Sequence, residues 1–184
     1  VPPPTRDLQR TRARGLEPFA WHTCITSATE WENFYNFRTH LNAQPEIQIT
    51  AELMKGAMVL SEPRALKLGE WHLPMIEVSD LHGRSLEDLV KIATGRCARV
   101  SYLTHDDKRD PSADIELHDR LAILGHMSPM EHCARVATED DAMRFAVGGG
   151  FSPDELDFVG NFRWPFVQYR KLIPGEAVFR GPPE

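Results

Sequence analysis

Arg38 stands where a helix that packs on a core would not want a cation. Trp31, Phe34 and Tyr35 recur at i, i+3 and i+4, the spacing of an apolar helix stripe, and Arg38 follows at i+7 on that stripe. A charge aimed at the buried side of a helix needs an anion or a carbonyl opposite it, because an unpaired buried charge is too costly to keep. Periodicity alone favours an intramolecular ion pair or a snorkelling side chain over a bound ligand. Ser27 with Glu30 three residues on reads as a capping box that starts this helix. Asn33, taken alone, reads as a helix-surface asparagine.

Other residue types with chemical potential are weaker. His126 and His132, with Glu131, Cys133 and His118 nearby, invite a metal reading. Zinc sites use closely spaced Cys/His pairs or His-Glu-x-x-His, and neither pattern is present, so no metal is expected. Cys24, Cys97 and Cys133 have apolar or small neighbours and read as buried, unreactive thiols. The chain has no Gly-x-Gly-x-x-Gly, which disfavours a Rossmann dehydrogenase.

Four blocks together resemble the flavin-dependent thymidylate synthases. The first is Asn33-Phe34-x-x-Phe37-Arg38 followed by Ala43-Gln44-x-Glu46-Ile47. The second is Ala13-Arg14-x-x-x-Pro18, and the third is Ala98-Arg99-Val100-Ser101-Tyr102. The fourth is His126-x-Ser128-Pro129-Met130-Glu131-His132. The resemblance runs from about Arg14 to His132 and implies an α/β (α+β) domain, with helices packed on a small, mainly antiparallel sheet. It implies reductive methylation of dUMP to dTMP, with methylenetetrahydrofolate giving the carbon and FAD, reduced by NADPH, giving the hydride. Arg38 would be the catalytic residue, facing the uracil ring. A planar fork of donors matches a carbonyl edge and stabilises charge that develops there. Arg14 would join it in binding the substrate. Asn33, Ser128 and Glu131, with Ser27 and Thr29, would line the flavin. Ser27 and Thr29 stand where the family commonly has asparagine and arginine. Family members assemble as homotetramers with sites built from several chains, so an oligomer is implied too.

The chain departs from the family pattern in two ways. The third and fourth blocks follow the asparagine–arginine helix here, whereas the family places them before it. The Arg-His-Arg segment and the serine-rich stretch after it, which grip nucleotide and flavin, have no counterpart. The chain starts at Val1 rather than methionine, which gives the expectation that it is a fragment and that this segment preceded it. Two alternatives therefore stand beside the synthase reading. One is a non-catalytic remnant or assembly subunit of the same fold, and the other a related flavin-dependent enzyme acting on a pyrimidine nucleotide.

Bulk properties bound these readings. At 184 residues the chain supports one sizeable core, expected over residues 14–184 behind a flexible or truncated end at 1–13. Hydrophobic residues at 41% and charged residues at 26% are ordinary for a globular domain. A formal charge of −6 argues against nucleic-acid polymers and anionic membranes, but not against a mononucleotide, for which a few arginines suffice. No apolar run reaches membrane-spanning length, and no hydrophobic stretch follows the N-terminal arginines as a secretory signal requires. Three cysteines without a close pair suggest free thiols and a cytoplasmic location.

The elements that must position these residues can be read from punctuation. Residues 17–26, with Phe19, Trp21 and Ile25, should form a buried approach to the capped helix. A break at 39–42 precedes Pro45, which suits a first helical turn. The helix after it should run to Leu60 on an apolar face of Ile47, Leu53, Met54, Ala57 and Met58. Residues 66–74 read as a loop. Ser85 with Asp88 starts a helix, and a loop at 104–112 leads into another over 113–124, which Gly125 should cap. Gly148-Gly149-Gly150 reads as a hinge, and Ser152 with Glu155 as the start of a short helix. The stretch 161–171 interleaves aromatic and basic residues and reads as a strand with a basic outer face. Alternatively, it closes over the nucleotide with Arg170 near phosphate.

Overall fold

The computed structural model describes residues 23–100, 109–146, 160–176 and 178. The expectations placed on Arg14, on residues 17–22, on Ser101 and Tyr102, on the Gly148 to Gly150 run and on Ser152 with Glu155 lie outside these residues.

A helical hairpin comes first. Helix α1 (Glu32–Arg38) and helix α2 (Pro45–Leu60) are joined by a short turn, and Pro45 occupies the first helical turn as its composition predicts. Tyr35 is buried between them and its hydroxyl donates to Met58 Sδ at 3.0 Å, while Ala51 is wholly buried. The Ser27–Glu30 capping box does not form. Trp31 takes the N-cap position without a side-chain bond to the first turn, its indole N–H donating back to the Ala28 carbonyl at 2.9 Å, while Ser27, Thr29 and Glu30 are engaged elsewhere. The expected apolar face of α2 is also rotated. Ile47, Ala51 and Met54 are the covered residues, and Met58 on the same side meets Tyr35 while staying half exposed, whereas Leu53 and Ala57 face solvent. Both arcs of α2 are apolar, so counting hydrophobic residues could not say which one packs.

The body of the molecule is a three-stranded antiparallel sheet with helices against it, the α+β class expected. Strands β1 (Trp71–His72), β2 (Ala134–Val136) and β3 (Phe166–Gln168) lie in the order β1-β2-β3. Trp71 pairs with Arg135, and Ala134 with Gln168. Part of the 66–74 segment is therefore strand, although Trp71 and His72 are too short a run to show alternation. The basic, aromatic stretch supplies β3 and then turns into helix α6 (Tyr169–Leu172), so it is not strand throughout.

Helix α3 (Leu86–Ala98) carries the densest core, with Ile92, Ala93 and Thr94 fully buried. Ser85 caps it, accepting from the Asp88 N–H at 3.1 Å and donating to the Asp88 carboxylate at 2.8 Å. Helix α4 (Pro111–Leu124) starts two residues earlier than the apolar pattern indicates, because Asp110 caps it by accepting from the Ser112 N–H at 3.0 Å. Gly125 closes it in the left-handed region at φ 75°. At Gly95 the two helices approach so closely that a Cβ would lie 2.3 Å from the Asp114 carbonyl oxygen.

A buried ionic cluster ties this crossing to the 3₁₀ turn Val78–Leu81. Arg96 donates to Asp80 from both terminal nitrogens, at 2.5 and 2.9 Å, and from Nε to Asp114 at 3.2 Å. It also holds the carbonyl of Met75, a non-glycine residue at φ 62°, at 2.7 Å. Arg99 Nε pairs with the other Asp114 oxygen at 2.7 Å. Helix α5 (Glu139–Ala146) follows β2.

Candidate functional site

Six of the residues singled out for chemistry line three separate clefts: Asn33 and Arg38 one, His126 and Ser128 another, Ser27 and Thr29 the third. The largest, about 840 Å³, opens at the end of the hairpin and is lined by Asn33, Phe34, Phe37, Arg38 and Asn42 among others. It brings Asn33 and Arg38 together. Arg38 is exposed rather than buried on the aromatic stripe. Tyr35 fixes how the two-turn helix packs on α2, and Arg38, its last residue, turns outward at the end where the helix dipole favours a cation. Among the described residues it makes no ion pair, for Glu30 pairs with Arg163 at 2.9 Å instead.

The second cleft, about 640 Å³, lies between the end of α4, the 3₁₀ turn Ser128–His132 and α6. Ser128 and His126 line it with three arginines, Arg99, Arg120 and Arg170. Two of these are committed. Arg99 is paired with Asp114, and Arg170 meets the carboxylate of Glu131 and, at 2.6 Å, that of Glu176. Hydrogen bonding to Glu176, despite desolvation, raises the Arg170 pKa, and the Lys171 hydrogen bond depresses that of Glu176. Arg120 is exposed, with no ion pair among the described residues. The resemblance assigned Glu131 to the flavin. Its carboxylate is occupied by Arg170, and its carbonyl accepts from Gln168 at 3.1 Å.

The third cleft, about 510 Å³, has an aromatic wall of Trp31, His72, Phe162 and Phe166, with Ser27 and Thr29 at its edge. Ser27 Oγ lies 3.2 Å from His132 Nδ1, and its carbonyl accepts from Asn161. Thr29 Oγ1 accepts from the Arg163 N–H at 2.7 Å. These bonds fasten the lead-in of the hairpin to the strand side of the body.

The remaining buried and half-buried titratable groups are held by internal contacts. His118 Nε2 meets the Tyr169 hydroxyl at 3.0 Å, and Nδ1 meets Asp119 at 2.9 Å. Burial lowers the pKa of His118 and of half-buried His132. Burial pushes the thiols of Cys97 and Cys133 up to about 12, so both are inert as expected, whereas Cys24 is exposed, its neighbours in sequence offering no cover. Among the described residues no group of three or more His, Cys, Asp or Glu side chains could hold a metal ion, and no helix is long and apolar enough to cross a membrane.

Sequence reasoning missed the Asp80–Arg96–Asp114 cluster, the His118–Tyr169 contact and Arg120. Each joins segments distant in the chain, or depends on which side a helix turns, and no local spacing announces that. No protein-family model matches the chain, and no curated protein or solved structure matches it significantly.

Proposed function

We propose that the chain carries the pyrimidine-nucleotide site of a flavin-dependent thymidylate synthase, acting in the reductive methylation of dUMP. The observation that carries this reading is Arg38. Its guanidinium has no carboxylate partner among the described residues and opens with Asn33 on the cleft of about 840 Å³ at the end of the hairpin. A planar fork left without an internal anion is available to a uracil carbonyl edge or a phosphate. The four sequence blocks supply the identity of the ligand.

The residues fit FAD in part. Ser128, His126 and Arg120 form a donor set suited to an anionic or hydroxylated stretch of the cofactor. The ring end fits less well, since Asn33, Ser27 and Thr29 open on other clefts. Bound flavin would supply the hydride, NADPH would reduce it and methylenetetrahydrofolate would give the carbon. The chain's own part is to orient the uracil at Arg38 and hold charge on its carbonyl edge. A complete site would need several chains, in keeping with the tetramer the resemblance implies.

The same dispersal favours a second reading, an assembly subunit that keeps the fold without the chemistry. Calorimetric titration with dUMP separates the two. The synthase reading expects saturable binding that Arg38→Ala weakens by about tenfold or more, the worth of a charge-assisted fork. Absence of dUMP binding, or binding indifferent to Arg38, would leave the assembly reading. Ser27 and Thr29 replace the family's usual donors, so flavin should be lost on gel filtration. A yellow protein that keeps it in stoichiometric amount would show that Ser128, Asn33 and their neighbours suffice.

A further inference from the structure

Tyr169 closes a chain of hydrogen bonds that ties α3, α4 and α6 together. Its hydroxyl lies 3.0 Å from His118 Nε2, and His118 Nδ1 lies 2.9 Å from Asp119, which also takes Lys91 of α3 at 3.1 Å. Despite desolvation, the bonds from His118 and Lys91 hold the Asp119 pKa below its ordinary value. At neutral pH this carboxylate is therefore ionised and can only accept. That fixes the tautomer. Nδ1 carries the ring proton, Nε2 offers a lone pair, and the Tyr169 hydroxyl donates to it. Donor, base and orienting carboxylate stand in the order of a nucleophile triad, yet Tyr169 lines none of the three clefts described above. What stands against it is an aromatic ring. The half-buried indole of Trp71 in β1 meets it edge-on, with ring centroids 5.7 Å apart at 71°.

We propose that Tyr169 is a proton-coupled redox site, oxidised through Trp71 and deprotonated by His118. A diffusing one-electron oxidant, of the class of an oxidising radical, takes an electron from the Trp71 indole and is itself reduced. Tyr169 then gives one electron to Trp71, which restores the indole, and in the same step its phenolic proton crosses to His118 Nε2. The O–H bond breaks, an N–H bond forms, and a neutral tyrosyl radical is left beside an imidazolium. Each contact has a reason in this step. A phenol cation radical would be a new charge at a half-buried site, so oxidation needs a base within hydrogen-bond reach. Burial keeps Tyr169 protonated and His118 neutral beforehand, the state from which the proton can move. Afterwards Asp119 stabilises the imidazolium, as the orienting carboxylate of a triad does. Lys91 and Glu87, paired at 3.3 Å on α3, also act on both rings, and the Cys133 thiol acts on Tyr169. This assignment rests on these side chains alone and holds whether or not the chain binds a nucleotide.

The test is pulse radiolysis of the purified chain with azide radical, read by transient absorption. The expected result is a tryptophan-radical signal that converts into a tyrosyl signal at a first-order rate independent of protein concentration. Tyr169→Phe, which keeps the ring and removes the hydroxyl, should abolish that conversion, and so should Trp71→Phe. His118→Gln should slow it by about tenfold or more, since it removes the base. Heavy water should slow it in the wild type, because a proton moves with the electron. That isotope effect is read on the unaltered chain, so it stands even where His118→Gln fails to fold. A contact that merely packs Tyr169 would give neither the slowing nor the isotope effect. Conversion that survives Tyr169→Phe, or that is indifferent to heavy water, would overturn the proposal. A thiyl rather than a tyrosyl spectrum by electron paramagnetic resonance would overturn it too, and would move the radical to Cys133.

Discussion

A guanidinium at the exposed C-terminal end of a helix is stabilised by the dipole and needs no partner for the fold to tolerate it. Arg38 therefore contributes little to stability and is available for binding. Arg38→Lys keeps the charge but replaces the planar fork with a point donor. The expected outcome is a thermal midpoint within a degree or two of wild type, with dUMP affinity reduced about tenfold, the cost of losing one charge-assisted bond. Parallel thermal melts and titrations check this, and an unaltered affinity would remove Arg38 from uracil recognition. The sequence made Arg38 conspicuous but misjudged why. Spacing placed it on the buried stripe, and the hairpin turned it to solvent, because a two-turn helix packs through Tyr35 and leaves its last residue unconstrained. Ser27 shows the converse. Its spacing to Glu30 is that of a capping box, yet hydroxyl and carbonyl both serve contacts with residues more than a hundred positions away. Local patterns of this kind record what a residue can do, and a distant partner decides what it does.

The elements were most legible where a single residue punctuates them. Pro45, Ser85 and Gly125 each mark a helix end by backbone chemistry that tertiary packing cannot easily override. What joins the elements was not legible, and the α3–α4 crossing is the clearest case. Gly95 sits within α3 where intrinsic propensity disfavours it, because only a residue without a side chain admits the Asp114 backbone of α4. Gly95→Ala would gain about 1 kcal/mol of helix propensity but place a methyl group 2.3 Å from a carbonyl oxygen of backbone, which cannot rotate away. Overpacking of this kind costs about 1–3 kcal/mol, so net destabilisation is expected, read as a lower urea midpoint. Asp114→Ala should be worse, at about 3–5 kcal/mol, since it leaves Arg96 and Arg99 buried or half-buried without a shared counter-charge. If both variants melt with wild type, the crossing is not what holds α3 to α4.

At the scale of the whole molecule, the same burial that packs the body onto its sheet makes its stability depend on pH. His118 is 4% exposed, with its ring stacked on Tyr169 and bonded at both nitrogens, and desolvation holds its pKa below 6.5 despite the opposing pull of Asp119. His132, half-buried beside Ser27, is lowered in the same way, against the opposing pull of Glu131 and with a smaller push from His72. His72 is itself lowered, but its side chain is exposed and solvent screening makes its share small. A histidine whose folded pKa lies below its unfolded value stays neutral in the native state while the unfolded chain takes up a proton. The unfolded state then binds more protons, and stability rises with pH across that window. Full stability is therefore expected above about pH 6.5 and declines below it, by at most about 1.4 kcal/mol per pH unit for each histidine. The depressed carboxylates Asp119, Asp141 and Glu176 add a separate loss, as pH falls below the ordinary carboxylate range towards their folded values. Urea midpoints measured from pH 8 to 5 resolve the histidine window. His118→Gln should lower the midpoint at pH 8, because it perturbs the contact with Tyr169, yet flatten the decline between pH 6.5 and 5. A decline as steep in His118→Gln as in wild type would assign the acid sensitivity to His132, and with it to the bonds that fasten the hairpin to the body.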